Sequence, residues 1–316
     1  SRVPLRPLAH VTLEDQVAAT AVLLCLADRV ETEQGDPARP VGDEETRTRI
    51  VSYGNRLLCD PVAGRGLQHR WGSGKLYREF YQDYRTFLAR PETAAREVSA
   101  DSNETVVVVH SDLSQFYDRV RPELLSQKIR QFAADQSEDP FFEFAARLLS
   151  WQWDSRDQRE VARHGSQYDI EGFERIALPQ GLVAAGFLSN CVLRDFDRAL
   201  RQLVGTKLTD TVRIVDVCRY VDDLRFVACL RGHKNLPEVE SAVAMAVQDL
   251  LDRHAPGLKC AVEKTRAAAL LASDERPLLR QSGRMQRIQQ AVSGGFDAVG
   301  GEEILDAVQG LMTLQQ

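Results

Sequence analysis

Two acidic groups stand beside apolar, strand-like runs. Asp112 follows the run Thr105-Val-Val-Val-Val-His110, and Asp222 and Asp223 sit in Tyr220-Val-Asp-Asp223, between β-rich residues 212–218 and 224–230. Four successive valines bounded by polar residues read as a buried strand, and the segment around Asp222 reads as a hairpin with the acids at its turn. If the two strand systems are neighbours in one sheet, the carboxylates converge at one edge. Hard divalent ions take oxygen ligands, and Mg²⁺ is commonly held by one or two carboxylates completed by substrate phosphates. Two such ions, roughly 3.5–4 Å apart, activate an attacking hydroxyl and stabilise a leaving oxygen. Taken alone, a pair of aspartates at a turn also has a plainer explanation, because Asp favours turns.

The elements around these acids alternate in type. Helical spacing is expected over 13–33, where Thr12 with Asp15 resembles a capping box and Gly35, Pro37 and Pro40 stop the helix. Residues 60–74, rich in Gly, read as a mobile loop, and 75–98 as a second helix. Pro122 is placed to open a helix reaching about 134, followed by a helix over 141–153 and a polar, irregular stretch over 154–176 that reads as a β-hairpin or a loop. A long helix over 182–203 precedes the hairpin; a helix over 237–253 and a short strand near 258–262 follow it. The order strand, helix, helix, strand–turn–strand, helix, strand indicates an α+β fold: an antiparallel sheet with helices on one face.

The motifs, taken in order, carry a resemblance. His110-Ser-Asp-Leu-Ser-Gln-Phe-Tyr-Asp118 resembles motif A of reverse transcriptases. Leu178-Pro-Gln-Gly181, continued through Phe187-Leu-Ser-Asn190, resembles motif B; Tyr220-Val-Asp-Asp223 resembles motif C; and Leu258-Lys-Cys-Ala-Val-Glu-Lys264-Thr265 is similar to motif D. Arg6-Pro-Leu, Asp15-Gln-Val17 and Ser52-Tyr-Gly-Asn-Arg56 resemble the finger motifs of bacterial reverse transcriptases related to group II introns. The form of these last motifs looks like the host-encoded, antiphage and abortive-infection types.

The resemblance implies a right-hand polymerase: fingers over 1–104, a palm over 105–272 with a finger-like insertion at about 135–177, and the start of a thumb over 273–316. It implies that Asp112 and Asp222 are the principal ligands of two Mg²⁺ ions (or Mn²⁺), with Asp223 and the Leu113 backbone carbonyl assisting. Tyr117 would lie under the incoming sugar and exclude a ribose 2′-hydroxyl; otherwise it is a packed core tyrosine. Phe116, Tyr220, Gln180 and Gly181 would border nucleotide and template, and Arg6 would contact the triphosphate. Lys264 would meet the pyrophosphate leaving group; otherwise it is a solvated lysine. Asp118 and Arg56 are expected to pair locally, and Trp151 and Trp153 to pack in the core rather than stack on bases. Implied partners are an RNA template, a DNA or RNA primer, dNTPs, and a partner protein, fused domain or non-coding RNA.

Composition sets bounds. The chain has 316 residues, 43% hydrophobic and 27% charged, with a net charge of -6, which taken alone counts against nucleic-acid binding. Basic residues nevertheless cluster between Arg47 and Arg96, where they offer either a phosphate-tracking face or a solvated surface of mixed charge. The six cysteines form no C-x-x-C pair, so neither a zinc site nor a disulfide framework is expected, and a reducing cytoplasm fits. No apolar run is long enough to span a bilayer. The chain opens at Ser1 rather than Met, so a preceding segment is expected. Rival readings are a retron or intron-type reverse transcriptase, an RNA-dependent RNA polymerase, a nucleotide cyclase, and a palm scaffold that binds RNA without synthesis.

Overall fold

A computed structural model describes residues 7–98, 104–232 and 235–269. Helix α1 (Leu13–Gln34) starts at Thr12, whose hydroxyl accepts the Asp15 amide, and stops at Gly35, whose positive φ of 78° suits glycine. A short α2 (Glu44–Arg49) follows. The glycine-rich stretch read as a loop is instead a hairpin, β1 (Cys59–Val62) with β2 (Gly66–His69). Its glycines at positive φ, Gly64 and Gly66, serve the turn, and Thr32 of α1 pins it through hydrogen bonds with Leu67. Helix α3 (Phe80–Glu97) begins later than its apolar spacing indicated, because Tyr77 is drawn into a bridge with Leu57.

Strand β3 (Glu104–Ser114) contains the four valines and runs past Asp112. Two helices follow, α4 (Phe116–Arg119) and α5 (Pro122–Arg130), the latter opened by its proline. Then come α6 (Asp139–Leu148), β4 (Trp151–Gln152), α7 (Gln158–Tyr168) and β5 (Arg175–Ile176). Here expectation and structure differ: α7 lies in the stretch read as irregular. Its few apolar positions, Val161 and Tyr168, pack into a small satellite cluster with Phe173 and Trp153 rather than into the main core. Trp153 is a packing residue, its indole N–H donating to the Phe173 carbonyl at 2.9 Å. Helix α8 (Ala185–Gln202), strands β6 (Val212–Tyr220) and β7 (Asp223–Arg231), helix α9 (Leu236–His254), and strands β8 (Lys259–Cys260) and β9 (Arg266–Ala269) complete the described chain.

The main sheet is antiparallel, in the order β6-β7-β3, with β8 and β9 both pairing the far side of β3. Val107 and Val109 of β3, Phe226 and Ala228 of β7, and Phe187, Leu188 and Val192 of α8 share one buried cluster. Helix α3 covers part of the other face: Phe87 packs on Cys218 and Tyr220, and Arg90 forms a buried bidentate pair with Asp216. Central strand β7 is therefore buried along nearly all its length, which explains its almost unbroken apolar sequence. Among the described residues no helix is long and apolar enough to cross a membrane.

The basic run folds into a surface of mixed charge. Of the ten basic residues between Arg47 and Arg96, eight are ion-paired within the chain, including Arg56 with Glu31 and Arg90 with Asp216 in the interior. Three of the eight, Arg56, Arg78 and Arg90, pair away from solvent, and the other five pair at the surface. The six cysteines are all free, four of them buried.

Candidate active site

The strand register brings the acids together. Asp112 of β3 lies directly opposite Asp223 of β7, and the Leu113 amide donates to the Asp222 carbonyl at 3.0 Å. Val221 and Asp222 form the two-residue connection between β6 and β7, since Tyr220 pairs with Asp223. Val221 takes φ of 58°, a conformation that a β-branched residue adopts only when its surroundings impose it. The imposing groups can be named. Arg219, fully buried, donates to the Val221 carbonyl at 2.6 Å and is itself held by both oxygens of Asp197. Gly54 lies flat against the turn: a Cβ there would come within 2.6 Å of the Val221 nitrogen.

Asp112, Leu113, Phe116, Tyr117, Gln180, Gly181, Tyr220, Asp222, Asp223 and Lys264 all line one open cleft of about 840 Å³. Arg6 lies outside the described residues. The Tyr117 hydroxyl accepts from the Asn55 amide at 3.1 Å, and burial pushes its phenol pKa up. Phe116 is buried beneath the cleft floor. Tyr220 packs edge-on to Tyr84, with ring centroids 4.9 Å apart. Gln180 donates to Asp118, which also contacts His164 at 3.0 Å. Gly181 has φ of 127°, and a Cβ there would lie 2.4 Å from the Ala9 carbonyl oxygen, so only glycine lets the residues before α1 close on this loop. Gln16 completes that closure, donating to the Gly181 carbonyl and accepting from the Val183 amide.

The electrostatics are those of crowded acids. Burial first, then the charge of Asp112, pushes the Asp222 carboxyl up to about 6; Asp223 adds to the rise, and Lys264 opposes it. Lys264 donates to Asp112 at 2.5 Å, a pairing that keeps its ammonium charged. Asp223 is differently placed. One of its oxygens lies 2.5 Å from His110 Nε2, out of line for a hydrogen bond, and the other 3.7 Å from Arg225.

Among the described residues no group of three Asp, Glu, His or Cys side chains is arranged to hold one metal ion. Asp112 and Asp222, the expected principal ligands, line the cleft together, while the oxygens of Asp223, expected to assist, lie near His110 and Arg225. What remains fits a divalent ion: two adjacent hard-oxygen donors, Asp112 and Asp222, with a cation already attracted to Asp112 in the form of Lys264. A site of one or two carboxylates is what Mg²⁺ uses when substrate phosphates complete its shell.

Several cleft residues were not singled out from sequence. His164 and Tyr168 enter from α7, whose position could have been read from Val161, His164 and Tyr168 at helical spacing. Asn55, a cleft residue, and Gly54, packed behind it on Val221, stood in a motif of which only Arg56 had been given a role.

Residues 75–288 match the family model described as reverse transcriptase (RNA-dependent DNA polymerase). The chain belongs to the reverse transcriptase family. The matched region contains the strand with Asp112, the Leu178–Gly181 loop, the Asp222 hairpin and Lys264. Among solved structures, this reverse transcriptase is similar to apo telomerase from Candida Tropicalis truncated from the C-terminal domain. The two are 13% identical with a TM-score of 0.33, and the alignment covers 60% of this chain and 35% of that one. The chain thus spans about a third of the telomerase chain. No curated protein matches it in sequence.

Proposed function

We propose that this reverse transcriptase adds dNTPs to a primer 3′-hydroxyl, copying an RNA template, with two divalent ions (Mg²⁺ or Mn²⁺) held by Asp112 and Asp222. The single observation behind this reading is the convergence of Asp112 and Asp222 in one cleft with Tyr117 and the Gln180-Gly181 loop. The ions supply activation of the 3′-hydroxyl and neutralisation of charge on the departing pyrophosphate. The bond formed joins the 3′-oxygen to the α-phosphorus, and the bond broken is that to the bridging oxygen of pyrophosphate.

The chain's own side chains do the positioning. Asp112 and Asp222 set the reacting end of the cleft at the hairpin turn. Tyr117, fixed by Asn55, presents an aromatic wall at the floor, the place from which a ribose 2′-hydroxyl would be excluded. Gln180 lends a polar side chain to the cleft, on a loop that Gly181 lets close against the residues before α1. The Lys264 ammonium stands in the same cleft, where negative charge develops on the leaving group.

The finger-motif form of Asp15–Val17 and Ser52–Arg56 supports a cytoplasmic, host-encoded enzyme of bacterial antiphage defence. Such an enzyme works with a partner protein, a fused domain or a non-coding RNA. The deciding experiment is extension with labelled dNTPs by purified protein and its co-purifying RNA, with and without Mg²⁺. Metal-dependent DNA synthesis that disappears in Asp222→Asn is expected. Preferential use of rNTPs, or undiminished product from Asp222→Asn, would overturn the reading. A plaque assay comparing Asp222→Asn with the native chain tests the defence role: equal protection by both would refute it.

A further inference from the structure

Helix α7 reaches the catalytic cleft from outside the motifs that carry the acids, bringing His164 and Tyr168 to its wall. The two residues after Tyr117 show what it does there. Asp118 is buried, and both of its oxygens are engaged. One accepts from the Gln180 side-chain nitrogen at 3.3 Å, and the other lies 3.0 Å from His164 Nε2. An ionised carboxylate only accepts, so both partners turn an N–H toward it. The nitrogen of the Gln180 carboxamide is thereby committed to Asp118. Its oxygen has no hydrogen-bond partner among the described residues, and Gln180 lines the cleft, so that acceptor is left for a bound substrate.

His164 is itself held firmly. Its ring lies beside those of Tyr168 and Phe173, with centroids 4.8 and 4.7 Å away. Arg119, next in the chain after Asp118 and likewise buried, donates to the Tyr168 and Asp169 carbonyls at 2.8 and 2.9 Å. Those carbonyls lie at the C-terminal end of α7, where a helix leaves acceptors unpaired and favours positive charge. Residues 118 and 119 therefore grip α7 at two points, one turn apart: its cleft-facing histidine and its end. No residue of α7 is fully buried, so the seat of this helix depends on these polar contacts more than on the core.

We infer that His164 is a positioning residue for the incoming nucleotide: through Asp118 it holds the Gln180 carboxamide with its oxygen free to accept from the dNTP. This inference rests on the polymerase reading of the cleft. It gives the segment between β3 and the Leu178–Gly181 loop a part in substrate binding, although none of its residues belongs to the metal site.

The test is steady-state primer extension by the full chain at varied dNTP concentration. His164→Ala should raise KM for dNTPs about fivefold, the effect of roughly one hydrogen bond, while kcat changes by about twofold at most. His164→Gln, whose amide nitrogen stands as many bonds from the backbone as Nε2 and can donate to Asp118, should restore KM to within about twofold of the native value. Gln180→Ala should raise KM at least as far as His164→Ala. Adding His164→Ala to Gln180→Ala should then change nothing further, because His164 acts through Gln180. A native KM in His164→Ala, no rescue by His164→Gln, or an equal effect of His164→Ala with and without Gln180 would overturn the inference. A second readout needs no synthesis. The Gln180 side-chain amide signals in proton–nitrogen NMR spectra, identified by their loss in Gln180→Ala, should move in His164→Ala and return in His164→Gln. Signals that stay in place would overturn the inference even in a chain that makes DNA. A native chain that makes no DNA would instead refute the polymerase reading, and the amide signals would still decide whether His164 sets Gln180.

Discussion

Replacing Asp222 by Asn should make the metal-free protein more stable while abolishing synthesis. The Asp222 carboxyl is pushed from the ordinary value of 3.8 up to about 6, by burial and by the charge of Asp112. Because the folded-state pKa is the higher one, the folded chain keeps a proton between pH 4 and 6 that the unfolded chain has released. The corresponding stability is fully present below about pH 4 and is lost as pH rises through about 6. At about 1.4 kcal/mol per pH unit, the deprotonated site costs on the order of 3 kcal/mol at neutral pH without metal. A near-isosteric amide removes that cost. With roughly 2–4 °C of Tm per kcal/mol for larger domains, Asp222→Asn should melt about 6–12 °C above the native chain in EDTA at pH 8. The gap should close toward pH 5, where Asp222 is protonated. Added Mg²⁺ should raise the native Tm and leave the variant nearly unmoved, and extension activity of the variant should fall by about 10³-fold or more. Thermal unfolding at pH 5 and pH 8, with and without Mg²⁺, reads all of this. An Asn variant that melts below the native chain at pH 8 in EDTA, or an equal Mg²⁺ response in both, would refute the reasoning.

Three further outcomes follow from the same geometry. Gly54→Ala places a methyl 2.6 Å from the Val221 nitrogen, so it should displace the turn and cut primer extension by roughly tenfold or more in a chain that still folds cooperatively; native activity would contradict the support assigned to Gly54. Arg56→Ala strands the interior carboxylate of Glu31 and should destabilise by about 3–5 kcal/mol in urea unfolding, whereas a loss below about 1 kcal/mol would show the pair to be dispensable. Tyr117→Val opens the cleft floor and should narrow the preference for dNTPs over rNTPs by about 10–200-fold in competition assays; an unchanged ratio would return Tyr117 to a packing role.

The residues that announce chemistry were legible because their spacing is local. The valine run and the hairpin carrying Asp222 are short, periodic signals, and their pairing into one sheet follows from both being apolar enough to need covering. Helices α1, α8 and α9 were readable for the same reason: each buries a continuous stripe. Helix α7 was not, since its own surface is mostly polar and its few apolar contacts go to a satellite cluster. The β1–β2 hairpin was hidden by its glycines, which serve a tight turn and a close approach to Thr32 rather than mobility. Hardest to foresee was the fate of the basic run, because charge clustering along a chain carries no information about carboxylates brought in by folding. Asp216 lies 126 positions from Arg90, yet its carboxylate saturates that guanidinium.

Those buried pairs explain how the site is held. The segment 50–57 has few intrinsic reasons to keep its shape, yet its backbone is fastened from several sides. Arg90 donates to the Ile50 carbonyl, Arg56 to the Ser52 carbonyl, and Asn190 to the Gly54 carbonyl, while the Arg219 amide donates to Val51 and its carbonyl accepts from Tyr53. The segment thus joins the edge of β6 through a single parallel bridge, Ser52 with Arg219, and sets Gly54 against Val221. Crowded carboxylates and a β-branched residue at positive φ both destabilise the turn, and each buried guanidinium in this set spends part of its hydrogen bonding on restraining it. The segment that contains Asn55 therefore braces the turn that carries Asp222 through the backbone beside it. Removing any one anchor should loosen Asp222 before it unfolds the palm.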